Sequence, residues 1–378
     1  MRTVGVEEEY LLVGEHGEAV ARSRAVLATP AASAVTADAA EANTQSDAES
    51  GADPNPTTTL ESELQEQQVE ISTPPATDLA AVADALRLAR RRAQDAAAQA
   101  NARIVAIGTS PLPATTVGSA GERYERIRDL LALTAREQLT SGAHVHVGIS
   151  DEDEGVRILD RIRPWLSVLV ALGSNSPFWQ GEDTGYSSYR SLVFRRWPTA
   201  GPTDAFGSPE TYHRTVEQLL ATGAILDEGM VYFDARLSAR YPTVEVRVSD
   251  VTLAVEHAVT LAALVRALAD TAAQPDAPAP DVRIEVLRLM GWRAARSGLS
   301  GELVSPVSFT PLPAEEVVGQ LLEHVDAALT ASGDRTLVHD GVAHLLRDGD
   351  GATRQRAWFA ETGSLAEVVG RAHEVTMA

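Results

Sequence analysis

The chain has 378 residues, 44 % of them hydrophobic, enough to bury a large core. Its formal net charge of −21 opposes binding to nucleic acid, where a basic surface must neutralise phosphates. It has no cysteine and all 32 basic residues are arginine, which excludes disulfides, thiolate metal sites, cysteine nucleophiles, P-loop lysines and Schiff-base lysines, so any handling of phosphate falls to arginine and metal.

Thr3 to Val13 reads as a strand, and it runs straight into Glu7, Glu8 and Glu9 without the basic start or apolar middle of a signal peptide, so a cytoplasmic location is expected. Residues 31–59 are small, polar or acidic with scarcely a large apolar side chain, and are expected to form a mobile loop. A second strand is expected over Leu64 to Ser72, ended by Pro74 and Pro75. Asp78 caps a long helix with apolar Leu79, Val82 and Leu86, and Arg87, Arg90, Arg91 and Arg92 read as its solvated face.

A short strand at Arg103 to Ile107 and a helix near Glu122 to Gln138 follow, then a clear strand from Ser141 to Ile149 and a capping box, Ser150 with Asp153, that opens the next helix. Between Asn175 and Gly207 aromatic residues and arginines alternate around a short helix, and Ser208 with Pro209 starts another. Val231 to Leu237 and Thr243 to Val248 read as strands, and the pattern beyond Val251 is almost wholly helical, with surface for a homodimer. The apolar stretches at Trp165 to Gly173 and Ala258 to Ala269 are too short to span a bilayer and read as buried helices, so no membrane partner is expected. The chain is expected to be α+β, one domain over 1–378, with an antiparallel or mixed sheet and helices on one side.

Side chains alternate across a strand, so Glu7 and Glu9 share one face while Val6 and Glu8 take the other. By the same rule Glu66, Gln68 and Glu70 share a face, as do His144 and His146, and as do Thr243, Glu245 and Arg247. Such faces fit a solvated surface as well as a site. If they converge, each carboxylate pair at ~4 Å repels by about 4 kcal/mol at an effective dielectric near 20. Divalent cations would relieve that repulsion, and oxygen ligands with one imidazole suit Mg²⁺ or Mn²⁺ better than zinc. Paired histidines are as often core residues as ligands, with His144 the better candidate. Arg247 beside Glu245 reads as an ion pair or as a phosphate clamp.

The motifs GVEEEY at 5–10, QVEIST at 68–73, GAHVHVG at 142–148, NSPFWQGEDTGYSSYRS at 175–191, FRRWP at 194–198, GMVYFDAR at 229–236, YPTVEVRVSDV at 241–251 and WRAARSGLSGELV at 292–304 resemble, in order, the type 2 glutamate-cysteine ligase (carboxylate-amine ligase) family. The resemblance implies a glutamine-synthetase-like catalytic domain, a sheet funnel with ATP and metals at its polar face and helices packed on its outer side. Carried over motif by motif, Glu7, Glu9, Glu70 and Glu245 become candidate metal carboxylates, His144 a ligand or phosphate contact with His146 beside it, and Arg247 with Glu245 the catalytic pair. Arg190, Arg195 and Arg196 with Tyr189 become candidates for nucleotide or substrate carboxylate, and Arg293, Arg296 and Arg354 are weighed in the same way against plain structural roles. The implied reaction joins L-glutamate to an amine such as L-cysteine through a γ-glutamyl phosphate, giving γ-glutamylcysteine, ADP and phosphate. Ligation to a different amine, phosphotransfer without an amine, and a non-catalytic metal-binding protein are the rival readings. Ser249 stands where relatives often carry cysteine, which leaves the amine pocket open.

Overall fold

The computed structural model describes residues 1–32 and 58–378. β1 (Val4–Val13) is followed by a short helix α1 (Ser23–Leu27), β2 (Thr59–Ser62), β3 (Gln68–Ser72), the long helix α2 (Leu79–Gln99) and β4 (Arg103–Val105). Next come α3 (Glu122–Arg136), β5 (Gly142–Gly148), α4 (Glu152–Ile162) and α5 (Leu166–Leu172). A two-stranded ribbon of β6 (Phe178–Trp179) and β7 (Glu182–Asp183) leads to α6 (Tyr189–Phe194) and α7 (Pro209–Ala221), then to the hairpin of β8 (Ala235–Leu237) and β9 (Thr243–Asp250). α8 (Val255–Ala273) and α9 (Ile284–Ser297) precede a second ribbon, β10 (Glu302–Val304) with β11 (Pro311–Pro313), and α10 (Ala314–Ser332), α11 (Arg335–Asp348), α12 (Gly351–Thr362) and α13 (Leu365–Met377) follow.

The main sheet runs β2-β3-β1-β5-β9-β8, with β4 beside the far half of β1. Among the described residues every pairing in it is antiparallel, so of the two expected sheet types the antiparallel one is present. The fold is α+β, as expected of a glutamine-synthetase-like catalytic domain. On one face Val4, Val6, Val145, Val147, Val244 and Val246 are buried beneath helices, each contributing about 1.5–3 kcal/mol of hydrophobic burial. α2 and α8 lie on that face. α2 starts where the Asp78 carboxylate accepts from the Ala80 N–H at 2.9 Å, and its buried Ala89, Ala93, Ala96 and Ala97 allow a close approach to the sheet. It ends at Asn101, whose φ of +54° turns the chain out of the helix.

Between β5 and β9 the register slips by one residue. Gly142 stands opposite Asp250, whereas His146 stands opposite Glu245.

Several local expectations are corrected. Most of the proposed 31–59 loop, residues 33–57, lies outside the described residues, but residues 31 and 32 are helical and Thr59 opens β2. The second strand is confined to Gln68–Ser72, so Glu66 leaves the shared face and instead bonds Ser23 and Arg24. The helix expected after Ser150 is capped by Asp151, which accepts from the Glu154 N–H at 2.8 Å, while the Glu154 carboxylate accepts from Ser150. Arg90 is not on a solvated face: it is 1 % exposed and paired with the equally buried Glu8.

Candidate active site

The opposite face of the sheet is polar and curls into a funnel of about 1540 Å³. Period-two alternation brings Glu7 and Glu9 from β1, Glu70 from β3, His144 and His146 from β5 and Glu245 and Arg247 from β9 into its lining. The antiparallel register sets them in rows: Glu9 is opposite Glu70, Glu7 opposite His144, and His146 opposite Glu245. Seven residues chosen from the sequence thus face one cavity.

His144 is the hub. Its Nδ1 lies 3.1 Å from Glu7 Oε2 and 4.0 Å from Glu245 Oε1, and its Nε2 lies 3.7 Å from Glu9 Oε1. Glu7 reaches a second imidazole, with Oε1 3.3 Å from His146 Nε2. Arg236 of β8 grips Glu245 with Nε and Nη2 at 2.7 and 3.3 Å, and the Arg247 guanidinium pairs with the same carboxylate. Gly142 N–H donates to Glu9 at 2.6 Å, which orients that carboxylate from the neighbouring strand.

The protonation states follow from these contacts. Burial would raise Glu7, yet the hydrogen bonds and charges of His144 and His146 hold it well below the usual carboxylate range. Glu245 is likewise lowered against its burial, by Arg247 and Arg236. Burial and then the Arg247 charge lower His144, which favours the neutral imidazole a cation needs, whereas for His146 the bond and charge of Glu7 outweigh burial and raise it. Glu70 is pushed well above its ordinary value by burial and by repulsion from Glu7, Glu63 and Glu9. Glu63 is pushed up to about 7 by burial and then by Glu9.

Two groups of these side chains could hold a cation. Glu7, His144 and Glu245 offer ligand atoms within 4.8 Å of one another, and so do Glu9, Glu70 and His144. His144 Nε2 is buried and has no hydrogen-bond partner among the described residues, and burial with repulsion from its neighbours favours a proton on Glu70 that a divalent ion would displace. Four carboxylates with one neutral imidazole suit a hard cation such as Mg²⁺ or Mn²⁺.

Four other sequence candidates lie outside the funnel lining. Arg190 is 2 % exposed beneath the floor, its guanidinium 5.0 Å from the Phe194 ring and close against Gly142. Arg195 pairs with Asp234 at 3.9 Å, Arg196 pairs with Glu137 at 2.7 Å, and Tyr189 packs between Trp179 and Tyr186. Arg293 pairs with Glu302, and Arg354 and Arg296 lie over the rings of Trp358 and Tyr186. Conversely, sequence reasoning missed Glu63, on the turn between β2 and β3, and Arg236. The signal for Arg236 was the β8–β9 hairpin, which sets it opposite Glu245.

The model of glutamate-cysteine ligase family 2 matches residues 3–371. Proteins from Streptomyces avermitilis and Streptomyces coelicolor, provisionally named glutamate–cysteine ligase 2-1 and glutamate–cysteine ligase 2, are each 48 % identical over 373 residues, covering 98 % of this chain and 98 % and 97 % of theirs. Among solved structures, a bifunctional glutathione synthetase from Pasteurella multocida superposes with a TM-score of 0.71 at 17 % identity over all of this chain, which spans 52 % of that longer protein. A glutamate–cysteine ligase from Francisella tularensis, solved in complex with AMP, superposes with a TM-score of 0.67 at 12 % identity, covering 100 % of this chain and 89 % of its own. No helix of the described residues is long and apolar enough to cross a membrane. With the family model spanning nearly its whole length and close relatives aligned end to end, the chain belongs to glutamate-cysteine ligase family 2 and is a C–N bond-forming ligase of that type.

Proposed function

We propose that the chain uses ATP to activate the γ-carboxylate of L-glutamate as an acyl phosphate and passes the γ-glutamyl group to an amine, with L-cysteine the first acceptor to test. The observation that carries this reading is the pair of carboxylate sets sharing His144 in one funnel, with two arginines fixed on Glu245 at its edge. Divalent ions held by Glu7, Glu9, Glu70, Glu245 and His144 would neutralise phosphate charge and polarise the transferred phosphoryl group.

The chain's own groups do the positioning. Arg236 and Arg247 lock Glu245 in its ionised form, and Arg247 Nε is a buried donor with no partner among the described residues, free to meet charge developing on a phosphoryl oxygen. In the first step a glutamate γ-carboxylate oxygen bonds to the γ-phosphorus and ADP leaves. In the second the amine nitrogen bonds to the acyl carbon, phosphate leaves with the bonding pair, and the amine proton passes to solvent. No protein nucleophile is needed, in keeping with a chain that has neither cysteine nor lysine. An ATP-consuming reaction of this kind fits a cytoplasmic location and a single catalytic domain over 1–378.

The test incubates the purified chain with ATP, Mg²⁺, glutamate and a panel of amines including cysteine, following ADP and product mass. Glutamate- and amine-dependent ADP release with a γ-glutamyl amide of matching mass is expected, and Glu7→Gln, at a side chain a quarter exposed, should abolish it with melting nearly unchanged. A phosphorylated product with no amine joined, or ATP hydrolysis indifferent to every carboxylate and amine, would overturn the reading.

A further inference from the structure

A second cavity of about 450 Å³, sharing no lining residue with the funnel, opens between the β6–β7 ribbon, the C-terminal end of α9 and α12. Its lining is Asp183, Gly185, Ser187, Arg296, Ser297, Ser300, Gly301 and Arg356. Two guanidiniums against one carboxylate make it cationic, in a protein whose net charge is −21.

Its donors are largely unspent. Arg356 gives Nε and Nη2 to Asp183 at 2.8 and 2.6 Å, and Nη2 also to the Tyr186 carbonyl, which fixes the guanidinium and leaves Nη1 uncommitted. Arg296 makes no hydrogen bond or short ion pair with any described residue; its Cζ lies 5.5 Å from the Tyr186 ring and its charge also acts on Asp183, so its five N–H groups have no hydrogen-bond partner among the described residues. Ser187 is 3 % exposed, and its hydroxyl also lacks a partner among the described residues. Arg296 lies in the last turn of α9, where a cation offsets the helix dipole, which accounts for the sign of its charge but not for the hydroxyl-lined cavity beside it.

We infer that this cavity is a second anion site, separate from the funnel, that takes a phosphate group, free or carried on a small molecule. One anchored guanidinium, Arg356, and one without hydrogen bonds, Arg296, flanked by hydroxyls, match the oxygens of a phosphate, each bond from a guanidinium being charge-assisted. The site also touches the funnel floor through the chain itself: Ser188, next to Ser187, donates to Asp250 at 2.7 Å, and Asp250 ends the strand that carries Glu245 and Arg247.

The test is calorimetric titration of the full chain, in EDTA and at low salt, with inorganic phosphate and, in parallel, with glycerol 3-phosphate. Saturable binding is expected, weakened tenfold or more by Arg296→Ala and several-fold by Ser187→Ala. Tighter binding of the ester identifies a phosphorylated metabolite as the source, and equal binding identifies free phosphate. The inference is overturned by no saturable binding, or by binding that both variants retain in full, which would seat the anion in the funnel. Arg296 is exposed, so its replacement leaves the fold intact, and Ser187→Ala removes only a hydroxyl.

Discussion

Replacing Glu8 by Gln should cost the fold about 3–5 kcal/mol, although it removes one charge and almost no volume. Glu8 sits on the helix-facing side of β1 between Val6 and Tyr10, and it accepts from Arg90 Nε at 2.9 Å, Arg90 Nη2 at 2.6 Å and the Tyr10 hydroxyl at 2.5 Å. Arg90 in turn donates to the carbonyls of Leu253, Thr252 and Thr376 at 2.7, 2.9 and 3.3 Å, so one guanidinium ties β1 to the start of α8 and the end of α13. Burial works against its charge, and the Glu8 carboxylate holds it ionised all the same. An amide at position 8 keeps one acceptor but leaves the cation uncompensated where water does not reach. At about 2.1 cal/mol/K per residue, a loss of ~4 kcal/mol lowers Tm by about 5 °C for a chain of this length. Calorimetry on the wild type, Glu8→Gln, Arg90→Met and the double variant should give a coupling energy of at least ~2 kcal/mol. A Glu8→Gln loss below ~1 kcal/mol would show that the guanidinium finds water, and the argument from burial would fail.

Three further outcomes are expected. Because Glu63 is held at about 7 and Glu70 well above its ordinary value, Mg²⁺ binding at pH 7 should release between about one and two protons, seen as a buffer-dependent heat in calorimetry; a heat independent of buffer would refute the shared-cation reading. His257 is held down at about 4 by burial and then by His344 and Arg354, so the unfolded chain takes up a proton near pH 6.5 that the folded chain refuses. Stability should therefore be full above about pH 6.5 and fall by up to ~3 kcal/mol as pH drops toward 4, and denaturant titrations of His257→Gln should show a shallower fall over that window; an unchanged slope counts against it. A methyl group on Gly142 would run into the buried Arg190 guanidinium, so Gly142→Ala should cost about 1–3 kcal/mol, measured as a lowered urea midpoint; an unshifted midpoint would mean that Arg190 can move aside.

Much of the funnel was legible because strand alternation is strict: once β1, β3, β5 and β9 are placed, Glu7, Glu9, Glu70, His144, His146, Glu245 and Arg247 must face the same way. What failed to show were residues whose position depends on something other than period. Glu63 stands on a turn, where no alternation applies. Arg90 opens a run of three arginines, and charge alone suggests solvent; the clue was Glu8, a carboxylate on the apolar face of β1 that needed a buried partner. Arg190, Arg195, Arg196 and Tyr189 share a motif rich in cations and rings, but such composition does not reveal which side chains turn toward the cavity and which brace the segment from behind.

The register slip between β5 and β9 makes the last turn of that sheet sensitive to chain length in an unusual way. Upstream of it the odd-numbered Glu245 and Arg247 look into the funnel; downstream it is the even-numbered Asp250 that stands beside Gly142 and gathers Ser176 and Ser188. Deleting Val248 or Ser249 would give a regular ladder that keeps both the upstream partners and the pairing of Asp250 with Gly142, but it would remove the local bend and added twist that the extra residue gives the strand. The extra residue therefore shapes how the strand curls between Arg247 and Asp250 without changing which side chains face the cavity.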